Sequence, residues 1–410
     1  MSVYASIENA PRTLERVVTG HMRRFPWYAD LLRRSGGQPG ELGTLPLIDQ
    51  PILERHYYTG PELPGASIFH TSGTARGVRK RIQYSDWDDD AYTAQRRRLF
   101  ADFLHTRRTP GTRVVCDLGT GHAAALSYRV FADLGMDTRD VDFTAPLSEH
   151  VAAINSWQPD VLFTMPMILD QMLHAGPALT ARPRTIIVVG DLAPPAWRAN
   201  VAARFGIATE DVLDIVGSIE VGAIAYLDTR IHRYVFHDHI VAEVAEPDSD
   251  GNVNMRNCHP HGDGVLVLTS MAREYFPAIR YVTGDLVADL RKAEVEGRSV
   301  TSCARFLGRT TGDVKHGERI SSHDLSQAVA SVFPGHPFEV SEGGTLCVHV
   351  VADHVAEEQR RALNQAVREA APDVAAMMEA GIVGEIDVVA TTLDALRSGP
   401  AKRRFNLPGA

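Results

Sequence analysis

Cysteine is scarce in this chain. Cys116, Cys258, Cys303 and Cys347 are the only four among 410 residues. So few thiols, so widely scattered, exclude the disulfide framework of a small secreted domain. Long apolar runs are missing as well: no stretch of about 18 uncharged apolar residues occurs, so no membrane-spanning helix is expected. Basic charge is not in excess either. Asp and Glu number 51 against 42 Lys and Arg, giving a net charge of −9, which argues against a nucleic-acid partner. The segment Met1-Ser2-Val3-Tyr4-Ala5-Ser6-Ile7-Glu8 lacks the basic-then-apolar order of a secretory leader, and a soluble cytoplasmic protein is expected.

What is present is an ordinary globular composition, 44% apolar and 23% charged, over a length of 410 residues. A chain of that size exceeds the roughly 250–300 residues at which single cores divide, so two domains are expected. Residues 6–35 read as helical. From about residue 112, short apolar runs alternate with helical segments. Val114-Val115-Cys116-Asp117-Leu118 ends at Gly119-Thr120-Gly121-His122, and Ala123 to Leu134 reads as a helix. Asp160 to Thr164 and Thr185 to Val189 open similar units, the second ending at Gly190-Asp191. Runs of this kind indicate parallel strands covered on both faces. Ligands in such sheets sit off the carboxyl ends of the strands, so the Gly119 and Gly190 loops are candidate pocket walls. Beyond residue 225 the strands alternate and are broken by Pro and Gly, which is antiparallel in character. After Gly308-Arg309 a smaller unit begins, with helices near 324–332 and 357–370 and strands at 345–351 and 382–389. The fold class is therefore α/β, with domains at 1–307 and 308–410, the second a small α+β lid.

Five short motifs follow one another along the chain. Thr71-Ser72-Gly73-Thr74, with Gly77 and Arg79-Lys80 behind it, combines hydroxyls, glycine and cations that can cradle phosphate oxygens. A Walker loop would open a helix; here Arg79 to Tyr84 reads as a strand, so the motif joins two strands. Gly217-Ser218-Ile219-Glu220 follows a strand-like run from Val212 to Val216. Tyr281-Val282-Thr283-Gly284-Asp285-Leu286 offers a carboxylate beside a glycine, suited to a ribose diol. Gly308-Arg309 leads to Lys315-His316-Gly317, and Ser398-Gly399-Pro400-Ala401-Lys402 precedes Arg403-Arg404.

In this order the motifs resemble the adenylate-forming superfamily of acyl-CoA synthetases, adenylation domains and luciferases, and its short branch typified by phenylacetate–CoA ligase. The resemblance covers nearly the whole chain. It implies that Thr71, Ser72, Gly73 and Thr74 lie over the β,γ-phosphates, and that Gly217 and Ser218 lie near the α-phosphate. It further implies that Glu220 holds Mg²⁺, that Asp285 contacts the ribose, that Arg309 is a second ribose or phosphate contact, and that Lys402 is delivered by the lid for adenylation. The hinge falls at Thr311, Gly312 or Asp313. Gly119, Gly121, His122, Gly190 and Asp191 are the candidate substrate pocket, in which two glycines beside His122 would admit an aryl or arylacetic acid and Asp191 would read a polar substituent.

The implied reaction consumes ATP with Mg²⁺, activates a small carboxylic acid as acyl-AMP, and transfers it to CoA or a carrier-protein thiol. Such chemistry belongs to specialised metabolism. Three alternatives stay open: an amine or other small nucleophile as acceptor, an acyl-protein synthetase, and a non-catalytic nucleotide-binding protein. Association as a homodimer also stays open. His237-Asp238-His239 and Cys258-His259-Pro260-His261 have ligand types at metal-compatible spacing. Zinc-holding relatives carry a further Cys-x-Cys where this chain has only Cys303, so surface or cleft histidines are expected.

Overall fold

The computed structural model describes residues 13–70, 80–107, 113–119, 121–142, 144–174, 178–247, 253–310, 314–343, 345–396, 402–405 and 407–408. Thr71 to Thr74, Thr120, Thr311 to Asp313 and Ser398 to Ala401 lie outside the described residues. The chain divides into two compact units. One comprises Met1–Thr106, Thr120–Gly135 and Val216–Arg305, the other Arg107–Gly119, Met136–Ile215 and Phe306–Ala410.

The first unit opens with helices Leu14–Arg24 and Pro26–Ser35. The Thr13 hydroxyl caps the first by accepting from the Arg16 N–H at 3.3 Å. Pro26 has no N–H to continue the turn, so the chain breaks at Phe25 and restarts with proline at the first helical position. Strands Ser67–His70 and Arg81–Tyr84 pair antiparallel, from Ser67 opposite Tyr84 to His70 opposite Arg81. They bracket the first motif as expected. The helix Asp86–Thr106 follows. It is started by a reciprocal cap, in which Ser85 N–H donates to Asp88 at 3.0 Å and Asp88 N–H donates to Ser85 Oγ at 3.2 Å. The helix His122–Asp133 packs on it through the stacked rings of Phe100 and Phe131, 5.1 Å apart.

The sheet of this unit is antiparallel, with strands in the order Val253–His259, Ile240–Pro247, Gly262–Ser270, Tyr281–Val295, Arg298–Cys303, Arg233–Phe236 and Gly222–Asp228. A buried ion pair ties these pieces together. Arg273 donates to Asp88 at 2.5 Å, with side chains only 3% and 0% exposed. The same guanidinium donates to the Gln83 and Glu220 carbonyls at 3.1 and 2.9 Å and lies 3.7 Å over the Tyr84 ring.

In the second unit, parallel strands run in the order Asp137–Asp140, Arg113–Asp117, Val161–Thr164 and Thr185–Val189, with residues 212–215 pairing beside the last. Every residue of Val161–Thr164 and Thr185–Val189 is buried, as continuous apolar runs covered on both faces require. Helices Leu147–Trp157, Pro166–His174 and Pro195–Phe205 connect them.

The C-terminal part of this unit is a four-stranded sheet in the order Asp387–Thr391, Thr345–Val351, Phe338–Gly343 and Leu407–Pro408. Helices Ser322–Val332 and Glu357–Ala370 share its core, built on Leu325, Val329, Val340, Val348, Leu363 and Val367. Buried Asn364 spends its amide on Ile386, accepting from its N–H at 2.7 Å and donating to its carbonyl at 3.0 Å. No helix among the described residues is long and apolar enough to cross a membrane.

Removing one partner of a buried pair leaves an uncompensated charge, which costs about 3–5 kcal/mol. Arg273→Met should therefore lower unfolding free energy by that amount in urea. Arg298→Met removes an ion pair to Asp238 whose side chains are 62% and 72% exposed, and should change stability by less than about 1 kcal/mol. Equal losses from the two variants would refute the special place of the Arg273–Asp88 pair.

Candidate active site

In the first unit the site is built on the turn Gly217-Ser218-Ile219-Glu220, between the strands Val212–Ser218 and Gly222–Asp228. Its backbone is held on all sides. Tyr84 Oη donates to the Ile219 carbonyl at 2.7 Å, Arg273 Nε to the Glu220 carbonyl at 2.9 Å, and Val221 N–H to Ser218 Oγ at 3.1 Å. Gly217 is required by packing: an added Cβ would lie 2.8 Å from the Gly222 carbonyl oxygen and 2.9 Å from Arg96 Nη2. The Glu220 side chain is 7% exposed. Its carboxylate makes no hydrogen bond to any described residue, so its oxygens are available to a hard cation, and this donor fits Mg²⁺. Nearby, Tyr58 has its phenol pKa pushed far up by burial and by the negative charge of Glu220.

Asp285 stands in the strand Tyr281–Val295, immediately after Gly284, whose φ of 79° lies in the left-handed region. The Thr283 hydroxyl shapes this corner. It accepts from the Asp285 N–H at 3.0 Å and donates to the Leu266 carbonyl at 2.9 Å.

His122 begins its helix directly after Gly121, whose φ of 124° no L side chain adopts readily. Its ring is enclosed rather than open to a ligand. It stacks on Tyr84 at 3.6 Å, meets Tyr92 and Phe69 edge-on at 4.6 and 5.2 Å, and bonds Asp89 through Nε2 at 2.8 Å. Burial lowers its pKa, and the Arg273 charge adds to that, outweighing the pull of Asp89; the imidazole is neutral near pH 7. A Cβ on Gly121 would touch only Ile219 Cδ1, at 3.9 Å, so this helix start adjoins the Gly217–Glu220 turn. The histidines at 259 and 261 are exposed, whereas His237 and His239 are half-buried.

In the second unit, the strand-end loops at Gly119 and Gly190 meet at Met165. Gly119 N–H points at Met165 Sδ at 3.4 Å, and a Cβ on Gly190, whose φ is 88°, would strike Met165 Cε at 2.7 Å. Asp191 accepts from Arg403 Nη1 at 3.0 Å. Arg403 also pairs with Asp170, which Trp197 Nε1 bonds at 2.8 Å. Burial pushes Asp170 up to about 6 against the attraction of Arg403. The exposed Lys402 is thereby anchored through its neighbour. Arg309 is exposed, following Gly308, where a Cβ would lie 2.9 Å from Ser322 Cβ.

Several of these partners escape sequence reading. Asp88, Asp89 and Arg96 lie on the Asp86–Thr106 helix, whose run of Asp residues followed by Arg96-Arg97-Arg98 reads as a solvated surface. Arg273 carries no motif. Arg403 reads as part of a basic tail, although its side chain is 2% exposed.

Comparison with known proteins decides the family. The chain is 39% identical over 401 residues to fumarate–(S)-2,3-diaminopropanoate ligase of Enterobacter agglomerans, covering 96% of this chain and 98% of that protein. It is 24% identical over 378 residues to phenylacetate–coenzyme A ligase of Thermus thermophilus, covering 86% and 82% of the two chains. The chain belongs to the adenylate-forming ligases. Residues 315–394 of this ligase match the family described as the fumarate–diaminopropanoate ligase C-terminal domain. The ligase shares its fold with 2-hydroxyisobutyryl-CoA ligase in the postadenylation state, with a TM-score of 0.73 at 16% identity, covering 97% of this chain and 88% of that one.

The packing at Gly217 is directly testable in this ligase. Gly217→Ala forces a Cβ against backbone and should cost about 1–3 kcal/mol by overpacking. Gly121→Ala meets only ordinary contact with Ile219 but requires a disfavoured φ, and should cost about 1 kcal/mol or more. Urea unfolding measures both; an unchanged midpoint for Gly217→Ala would contradict the tight contact.

Proposed function

We propose that this ligase activates a small dicarboxylic acid, fumarate or a close relative, as its acyl-AMP and then transfers the acyl group to an amine of a diamino acid. The observation that carries this reading is the 39% identity to fumarate–(S)-2,3-diaminopropanoate ligase across almost the full length of both chains. In the first step one carboxylate oxygen attacks the α-phosphorus of ATP, and pyrophosphate leaves. In the second the amine nitrogen attacks the acyl carbon, the bond to the phosphate oxygen breaks, AMP departs and the nitrogen loses a proton.

Each site residue then has a part. Asp285 accepts the ribose hydroxyls, Arg309 adds a second contact there, and Ser218 lies by the α-phosphate. Thr71, Ser72, Gly73 and Thr74 receive the β,γ-phosphates. Glu220 would hold Mg²⁺, which neutralises phosphate charge when bound. Residues 308–410 act as the lid, and Lys402 brings its ammonium to the charge that develops between carboxylate and α-phosphate. Arg403, locked to Asp170 and Asp191, positions that lysine. A thiol acceptor with an aryl acid is the second reading, supported by the 24% identity to phenylacetate–coenzyme A ligase. The enclosure of His122 by three rings favours the first, because it removes the open slot beside that residue which an aryl group would use.

Incubation with ATP, fumarate and either 2,3-diaminopropanoate or CoA, read by mass spectrometry, separates these readings. An amide and AMP are expected; a thioester without amide would overturn the amine reading. Lys402→Ala should lose about 10²–10³ in acid-dependent pyrophosphate exchange, mainly in kcat, as for other contacts made to transition-state charge. Aminolysis of supplied acyl-AMP should stay nearly normal, and a parallel fall in both steps would mean that Lys402 positions the lid instead. Asp285→Ala should weaken ATP binding by about 1–3 kcal/mol, measured by calorimetry on the folded variant. Unchanged affinity would remove the ribose assignment.

A further inference from the structure

Five arginines are buried among the described residues: Arg96, Arg233, Arg273, Arg280 and Arg403. Four of them face a carboxylate. Arg233 pairs with Asp289 at 2.7 Å, Arg273 with Asp88 at 2.5 Å, Arg280 with Glu243 at 3.0 Å, and Arg403 with Asp191 at 3.0 Å. Arg96 is the exception. It is 1% exposed, its single hydrogen bond runs from Nη2 to the Val216 carbonyl at 3.3 Å, and its Nε and Nη1 have no acceptor.

An unpaired buried charge is costly, and a native structure retains one only where something offsets it. Besides its bond to the Val216 carbonyl, the Arg96 guanidinium lies 5.5 Å from the centre of the Tyr92 ring, and no described carboxylate pairs with it. Thr93, one turn earlier on the same helix, has a fully buried hydroxyl without a partner, and the buried Nε2 of His237 has none either. Burial, then the charges of Arg96 and Arg98 together with His239, hold His237 neutral. Arg96 Nη2 also lies 2.9 Å from where a Cβ on Gly217 would stand, directly against the Gly217–Glu220 turn.

We propose that Arg96 is the seat of the second carboxylate of the acid substrate, received end-on by Nη1, which lacks an acceptor, and by the second hydrogen of Nη2, while the first carboxylate is activated at the adjoining turn. This rests on the dicarboxylate reading given above and names the residue that enforces it. A guanidinium fork matches a planar carboxylate with two parallel hydrogen bonds. A nucleotide polyphosphate is the poorer occupant, because one deeply buried cation cannot follow an extended, multiply charged chain. The ligand brings the missing counter-charge into a site that is otherwise cationic, so a monoacid leaves Arg96 unpaired and is rejected. Discrimination of this kind, built on a buried polar group left unsatisfied by the wrong substrate, is stronger than any that a missing methylene provides.

Pyrophosphate exchange with fumarate and with monomethyl fumarate tests this, since the ester keeps the skeleton and masks the second charge. The wild-type ligase should prefer fumarate by roughly 30-fold or more in kcat/KM, the scale of losing one partner of a buried charge pair. Arg96→Met should abolish that preference through a raised KM for fumarate, with ATP affinity by calorimetry unchanged. Arg96→Lys, which keeps the charge but not the fork, should lose about tenfold in the same preference and decides the matter if Arg96→Met does not fold. A wild-type preference for fumarate that survives in the folded variants overturns the Arg96 assignment alone. A loss of ATP affinity in Arg96→Met would assign the arginine to the nucleotide and overturn it equally. A wild type that exchanges only with monoacids removes the dicarboxylate reading and this seat together.

Discussion

The ion pair between Arg273 and Asp88 decides the local architecture of the first unit, because one guanidinium there serves four neighbours at once. It neutralises Asp88, donates to the Gln83 and Glu220 carbonyls, and covers the Tyr84 ring. Asp88 in turn accepts the Glu274 and Tyr275 N–H groups at 2.6 and 3.1 Å and closes the helix cap with Ser85. The hairpin, the helix start and the Gly217–Glu220 turn are thereby tied to one buried point. A pair so enclosed contributes little net energy against an apolar replacement, yet its loss is expensive. Its value lies in position: Glu220 leaves this network with its backbone fixed and, among the described residues, no hydrogen bond to its carboxylate.

The second unit uses the same device for a different purpose. Arg403, between Asp170 and Asp191, anchors a segment whose neighbour Lys402 is exposed. Buried charge fixes where the chain runs, and the adjacent exposed cation keeps its freedom. Asp191, the carboxylate expected to read a substrate substituent, holds the C-terminal segment through this contact. Glycine does complementary work at the strand ends. Gly190 and Gly217 stand where a single Cβ would strike Met165 or the Gly222 backbone, which lets loops approach one another as closely as a small-molecule site demands.

Much of this was legible in the chain. Runs such as Val161–Thr164 and Thr185–Val189 read as strands because a segment buried on both faces has little room for polar residues. The hairpin around the first motif and the helices Ser322–Val332 and Glu357–Ala370 were legible for similar reasons of period and punctuation. The Asp86–Thr106 helix was not, because its charges read as solvent-facing while the fold buries Asp88, Thr93 and Arg96. The polar edge strand Asp137–Asp140 carries no apolar run at all and forms only because Arg113–Asp117 offers it a pairing edge. The burial of His122 was not legible, since the three rings around it come from the segments carrying Phe69, Tyr84 and Tyr92.

By itself, then, the sequence determined the succession of strands and helices, the order of the motifs, and with them the family. Those features are local, set by side-chain period, by glycine's backbone freedom and by which residue types stand together. Only the tertiary structure decided which charges are spent and which are kept. Arg96, Arg273 and Arg403 are identical in kind along the chain, and distance in sequence separates each of the last two from its carboxylate. Folding brings Asp88 to one and Asp170 and Asp191 to the other, while Arg96 is buried with no carboxylate partner among the described residues. Whether a buried cation is paired depends on low-dielectric contacts over a few ångströms, and no local pattern of residues encodes that.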